Sequence, residues 1–70
     1  MQVLTPHVAK LAQRIREEFD EAPDLQLTVA EGARFWALDA DACATVLTYL
    51  QRSGYLVRAR GGRYRRAQTV

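Results

Sequence analysis

The residues with the most distinctive chemistry are arginines that surround two consecutive glycines near the end of the chain. Gly61-Gly62 interrupts a period-two alternation over residues 55–67, which predicts a β-hairpin with a two-residue turn. Five arginines lie in this hairpin: Arg58, Arg60, Arg63, Arg65 and Arg66. Arginine side chains commonly contact phosphate oxygens of nucleic acids, so the pattern indicates a polyanionic partner.

The register expected for a two-residue turn places like charges opposite each other. Arg60 faces Arg63 and Arg58 faces Arg65, all on one face of the hairpin. The other face is expected to pack on the core through Tyr55, Val57 and Tyr64. Directly opposed like charges destabilise a hairpin by about 0.2–1 kcal/mol per pair. We therefore expect a negatively charged partner on the arginine face.

The charges of the whole chain are strongly segregated. The net charge of the 70-residue chain is +2, yet residues 42–70 carry six arginines and no acid. Residues 1–41 carry four cations and eight acids, a net charge of −4. A segregated basic end favours a polyanionic partner, with nucleic acid ahead of a membrane surface.

A second candidate surface comes from an amphipathic helix predicted over residues 40–53. Asp39 is a suitable N-cap, and Gly54 stands where a left-handed residue ends a helix. The apolar positions recur at helical spacing: Cys43, Val46, Leu47 and Leu50. The opposite face carries Asp41, Thr45, Thr48 and Arg52, with Ala42, Ala44 and Tyr49 on its flanks. These small and hydrogen-bonding side chains leave room for a partner to approach.

A first helix and a short strand are predicted in the acidic half of the chain. Thr5-Pro6 supplies an N-cap and a proline at the first helical position, so the helix is expected over residues 6–22. Pro23 ends it, since the residue before a proline is disfavoured in the α region. Residues 25–27 alternate and predict one short strand.

The second predicted helix covers residues 29–36. Thr28 and Glu31 have the spacing of a capping box, which marks its start. Gly32 costs this helix roughly 1 kcal/mol relative to alanine. We interpret Gly32 as making room, either for the indole of Trp36 or for close approach of another helix.

The remaining reactive side chains have structural explanations. Cys43 lies on the apolar face of the third predicted helix and is expected to be a small core residue. His7 has no other histidine or cysteine nearby, so no metal site is expected. Phe19 and Trp36 are expected in the core, whereas Phe35 falls off the inner stripe and is a candidate partner contact. No enzymatic motif is present, and neither a cofactor nor a small-molecule ligand is expected.

Length and composition favour one small domain over residues 1–70. No apolar run approaches the roughly 20 residues of a transmembrane helix, and the first residues lack the pattern of a signal peptide. One cysteine cannot form an internal disulfide. These features lead us to expect a cytoplasmic protein without a membrane partner.

The order of the predicted elements resembles that of winged helix-turn-helix domains from prokaryotic transcription regulators. The residues that carry the resemblance are Leu27-Thr28, Glu31, Ala33, Leu38, Asp39, Leu47, Leu50, Gly54, Leu56 and Gly62-Arg63-Tyr64. It implies a mainly α fold with a small β-sheet (α+β): three helices followed by a C-terminal hairpin, the wing. The acidic Asp39 and Asp41 depart from the family pattern.

The resemblance implies a small regulator of transcription that binds double-stranded DNA. The third helix would enter the major groove through Asp41, Ala42, Thr45, Thr48, Tyr49 and Arg52. The wing would contact the backbone or minor groove through Arg58, Arg60, Arg63, Arg65 and Arg66. A homodimer or a larger protein partner is expected for so small a domain, through the first helix or the Phe35 region. Two alternatives stay open: a protein-interaction adaptor that uses the acidic residues 17–24, and binding of RNA or non-specific nucleic acid through the wing alone.

Overall fold

A computed structural model of the chain describes residues 6–67. Its elements are α1 (Pro6–Glu21), β1 (Gln26–Leu27), α2 (Val29–Phe35), α3 (Ala40–Arg52), β2 (Leu56–Arg58), a 3₁₀ turn (Arg60–Gly62) and β3 (Tyr64–Arg66). The three predicted helices are confirmed, and each ends one residue earlier than expected. The predicted N-cap of α1, Thr5, lies outside the described residues. A mainly helical fold with a small antiparallel sheet agrees with the expected α+β class.

The predicted helix caps are present as side-chain hydrogen bonds. The N–H of Glu31 donates to Oγ1 of Thr28 at 3.1 Å, and the N–H of Thr28 donates to Oε1 of Glu31 at 2.9 Å. At the start of α3, the N–H of Asp41 donates to Oδ2 of Asp39 at 3.1 Å. Gly54 follows α3 with φ of +86°, as expected for a left-handed residue at a helix end.

The core lies between α1, α3 and the hairpin. Its buried side chains are Ala12, Ile15, Phe19, Cys43, Val46, Leu47, Leu50, Leu56 and Tyr64. The apolar stripe predicted on α3 is therefore confirmed, including Cys43, which has no exposed surface. Burying a large aliphatic or aromatic side chain contributes about 1.5–3 kcal/mol, so this cluster holds the hairpin against the helices. Burial also raises the pKa of the Cys43 thiol.

Gly32 serves both of the purposes considered for it. An ideal Cβ at this position would lie 2.8 Å from Cζ3 of Trp36 and 3.1 Å from Sγ of Cys43. The glycine therefore accommodates the indole of its own helix and the close approach of α3. Trp36 is half-buried and packs against the ring of Phe19, with a centroid distance of 6.1 Å.

The sheet has three antiparallel strands in the order β1-β3-β2. β1 confirms the short strand expected near residues 25–27, and it pairs with the last strand through Gln26 with Arg65 and Leu27 with Tyr64. The central strand, β3, thus ties the loop before α2 to the hairpin.

The register of the hairpin differs by one residue from the predicted register, which was wrong. β2 and β3 pair Leu56 with Arg66, Val57 with Arg65, and Arg58 with Tyr64. The N–H of Ala59 donates to the carbonyl of Arg63 at 2.7 Å, so the loop is the three-residue turn Arg60–Gly62. The opposed arginine pairs that the two-residue turn implied are therefore absent from the hairpin.

Burial of two side chains explains the observed register. Leu56 and Tyr64 lie on the same face of the hairpin and are 1% and 6% exposed. Shifting a strand pair by one residue exchanges its two faces, so the predicted register would have separated these side chains. The expectation that Val57 packs on the core was also wrong, since Val57 pairs with Arg65 on the opposite face.

Candidate nucleic-acid interface

The residues predicted on α3 lie on or beside its solvent-facing side. Asp41 and Arg52 are exposed, whereas Ala42, Thr45 and Thr48 are half-buried. Tyr49 is 39% exposed. The stripe opposite them is buried, so α3 presents one face to the core and one face to solvent. Whether the outer face contacts DNA stays a prediction.

Hydrogen bonds within α3 reduce what this face can offer to a partner. The hydroxyl of Thr45 donates to the carbonyl oxygen of Asp41 at 2.9 Å. This bond, from a threonine to the carbonyl four residues earlier, uses the only proton of the hydroxyl. Thr45 can then act toward a partner only as a hydrogen-bond acceptor.

Tyr49 lies toward a groove between α1 and α3. The groove has a volume of about 530 Å³ and is lined by Ala9, Ala12, Gln13, Arg16, Glu17, Asp20, Tyr49 and Leu50. The sequence carried no signal for this groove, because it forms only when the two helices pack. Tyr49 therefore lies on the flank of α3 and lines the groove that α3 forms with α1.

The arginines of the hairpin are distributed over both faces and the turn, not over one face. We use the name arginine ribbon for residues 56–66. Arg65 shares a face with Val57, whereas Arg58 and Arg66 share the face of Leu56 and Tyr64. Arg60 lies in the turn. Because every arginine in a strand is paired with an uncharged residue, the expected repulsion across the hairpin does not occur.

Most of the arginine ribbon has no acidic partner. No carboxylate of residues 6–67 lies within 4.0 Å of a side-chain nitrogen of four of its arginines: Arg58, Arg60, Arg63 and Arg65. The pKa of Glu31 is lowered, chiefly by its hydrogen bond from the N–H of Thr28 and to a smaller extent by the charge of Arg63. Arg63 is thus within electrostatic reach of Glu31 but does not form an ion pair with it.

Arg66 has a different environment from the other arginines. Its Nε lies 3.7 Å from Oδ1 of Asp20, and the two side chains are 40% and 47% exposed. An ion pair with this exposure contributes little to stability, about 0–1 kcal/mol. The pair nevertheless places Arg66 against the end of α1, so its charge is partly compensated within the molecule.

Tyr55 anchors the base of the arginine ribbon to α1. Its single hydroxyl proton is within hydrogen-bond reach of two acceptors, the carbonyl oxygen of Arg16, at 3.1 Å, and the carboxylate of Asp20. The guanidinium carbon of Arg16 lies 4.6 Å from the centre of the Tyr55 ring, a cation–π contact. The carbonyl of Tyr55 accepts from the N–H of Ala67 at 2.9 Å. Sequence reasoning missed this junction because its residues are far apart in the chain.

The exposed aromatic residue expected at the end of α2 is observed. Phe35 is 60% exposed, and its ring meets that of Trp36 edge-on at a centroid distance of 5.5 Å. The indole Nε1 of Trp36 is buried without a hydrogen-bond partner among residues 6–67. A role for Phe35 in contacting a partner stays a prediction.

No group of three or more histidine, cysteine, aspartate or glutamate side chains in residues 6–67 is arranged to hold a metal ion. None of the three helices in that range combines the length and apolar composition of a bilayer-spanning segment.

Comparison of the chain with protein-family models, with curated protein sequences and with solved structures gives no match. The case for a function therefore depends on the chemistry and geometry of its own residues.

Proposed function

We propose that this protein binds double-stranded DNA as a small regulator of transcription, with the architecture of a winged helix-turn-helix. The order of its elements and its three-stranded antiparallel sheet support this architecture. The helix α3 has 13 residues and is about 20 Å long. The major groove of B-DNA, roughly 12 Å wide, accepts a helix of this kind. In this arrangement α3 enters the major groove and the arginine ribbon contacts the adjacent backbone or minor groove.

The observation that carries the proposal is the set of guanidinium groups in the arginine ribbon that form no ion pair with residues 6–67. Arg58, Arg60, Arg63 and Arg65 have no carboxylate within 4.0 Å among the residues that the structure describes. Guanidinium groups bind phosphate with paired N–H donors, and clustered cations create a positive potential that attracts a polyanion.

The salt dependence of duplex binding tests the proposal. We would titrate a fluorescent duplex of random sequence at several salt concentrations and plot the logarithm of the binding constant against that of salt. Each neutralised phosphate contributes about 0.9 to the magnitude of the slope. The double variant Arg63→Ala/Arg65→Ala is expected to reduce that magnitude by about 1.8.

A matched control separates a local contact from net charge. The variant Lys10→Ala/Arg14→Ala removes the same charge from exposed positions of α1. It is expected to leave the slope unchanged, and circular dichroism would verify that both variants are folded. Equal slope changes from the two double variants would contradict a contact at the ribbon. Absence of binding by the folded wild-type protein at low salt would contradict DNA binding altogether.

A second candidate function, a protein-interaction adaptor, is favoured by the exposed ring of Phe35. Aromatic side chains are enriched in the buried centres of protein interfaces, and Phe35 is 60% exposed. In such an adaptor the acidic residues 17–24 would contact a basic partner, or Phe35 would contact a second copy of the chain. Sedimentation of the wild-type protein and of Phe35→Ser would detect self-association through this ring.

A further inference from the structure

The outer face of α3 has few groups that can distinguish base pairs. Strong readout in the major groove uses paired hydrogen bonds, from Arg or Lys to guanine and from Asn or Gln to adenine. The side chains of α3 that lie opposite its buried stripe are Asp41, Thr45, Thr48 and Arg52. Only one of these four, Arg52, belongs to the types that make paired contacts with bases, and the other such residue of α3, Gln51, lies next to it at the C-terminal end of the helix.

The position of Arg52 does not suit base reading. Recognition helices contact base edges mainly with residues near their N-terminus. Arg52 is the last residue of α3, eleven residues after Asp41, or about 16 Å along the helix axis. Arg52 therefore lies at the opposite end of α3 from the residues that recognition helices direct at base edges, where contact with a phosphate is expected.

The groups at the start of α3 are poorly matched to DNA. The carboxylate of Asp41 is exposed and forms no hydrogen bond or ion pair with another described residue. Its negative charge opposes the approach of phosphates. The hydroxyl proton of Thr45 is already donated to the carbonyl of Asp41. Thr48 is the remaining hydroxyl, and a threonine can contact several bases without strong preference.

The distribution of charge also favours contact with DNA through the arginine ribbon over contact through α3. On the outer face of α3 the charges of Asp41 and Arg52 cancel, whereas the arginine ribbon has four guanidinium groups without an ion pair among residues 6–67. Contacts to phosphate supply affinity that does not depend on sequence. The attraction for DNA therefore comes from the ribbon.

We infer that the protein binds duplex DNA through the sugar-phosphate backbone, with little dependence on base sequence. The arginine ribbon supplies the affinity, and α3 fits the major groove by shape. This inference rests on the proposed DNA-binding function, and it specifies that regulation of transcription would act through coverage of DNA and not through recognition of one operator sequence.

Binding to a panel of unrelated duplexes of equal length, at one salt concentration, tests the inference. One good paired contact to a base discriminates by roughly 5- to 150-fold. The dissociation constants of the wild-type protein are therefore expected to agree within about fivefold across the panel. Selection from a random duplex library is expected to yield no consensus sequence.

Two variants of α3 extend the test. Asp41→Ala is expected to increase the affinity for every duplex by roughly two- to fivefold, the range of one exposed charge interaction. Thr48→Ala is expected to change all affinities by the same factor. A reproducible preference for one duplex beyond about fivefold, or a preference lost in Asp41→Ala, would overturn this inference alone. Absence of binding to every duplex at low salt would overturn the proposed function as well.

Discussion

Replacing Ala37 with glycine is expected to stabilise the protein. Ala37 follows α2 with φ of +54°, the only non-glycine residue with positive φ in the described chain. The left-handed conformation brings Cβ close to the following carbonyl oxygen and costs an L residue about 1–2 kcal/mol. Because Ala37 is exposed, its methyl group has few contacts to lose.

The end of α3 provides a matched reference, since it has the same hydrogen-bond pattern with glycine in the equivalent place. After α2, the N–H of Leu38 donates to the carbonyl of Ala33 at 2.8 Å, and after α3 that of Tyr55 donates to Leu50 at 3.0 Å. These are the long bonds of a Schellman motif. A Cβ on Gly54 would meet no atom within 4 Å, so Gly54→Ala tests the backbone conformation alone.

The expected changes in the free energy of unfolding are smaller than the strain energy of the left-handed conformation. Glycine increases the freedom of the unfolded chain, which costs about 0.4–1 kcal/mol relative to alanine. We therefore expect Ala37→Gly to raise the free energy of unfolding by about 0.5–1 kcal/mol and Gly54→Ala to lower it by a similar amount. In a domain of this size the corresponding shifts in Tm are about 2–8 °C.

Urea unfolding followed by helical circular dichroism measures both changes. The midpoints are expected to move in opposite directions at an unchanged m value. The double variant is expected to lie near the wild type, since the two sites follow different helices. A destabilised Ala37→Gly variant, or midpoints that move in the same direction, would refute the assignment of strain to Ala37.

Three other predictions follow from contacts in the core and at the base of the ribbon. Gly32→Ala is expected to lower the free energy of unfolding by up to about 2 kcal/mol in urea titrations, since overpacking against Trp36 outweighs the higher helix propensity of alanine. The pKa of Tyr55 is raised by burial and then by its bond to Asp20. The protonated Tyr55 hydroxyl therefore contributes to stability below about pH 10, and this contribution is lost as the pH rises through the raised pKa. In Tyr55→Phe the free energy of unfolding is expected to depend less on pH in that alkaline range. The buried thiol of Cys43 is expected to react with a thiol reagent only at the rate of unfolding; rapid reaction of the folded protein would contradict its burial.

The local signals of the sequence were reliable where they depended on neighbouring residues. The capping box of Thr28 and Glu31 and the N-cap Asp39 are present as hydrogen bonds. Such caps involve residues two or three apart, so their geometry is nearly independent of the rest of the fold. Helical spacing likewise identified the buried face of α3, because apolar residues at this spacing lie on one side of a helix and that side packs on the core.

The candidate interface was predicted less well than the helices. The arginines lie in the hairpin as expected, but their predicted division between its two faces was wrong. Arg66 was grouped with free charges, whereas the structure places it beside Asp20. The alternation of the strands allowed either face to be assigned to the core, and the two-residue turn predicted at Gly61-Gly62 assigned the wrong one.

The sequence by itself determined the order and extent of the helices, the caps, the need for glycine at position 32 and the segregation of positive charge. The tertiary structure decided the register of the hairpin. Two glycines in succession permit a turn of two residues or of three, and local preferences do not choose between them. The three-residue turn is favoured because its register places Leu56 and Tyr64 on one face, where α1 and α3 remove both side chains from water.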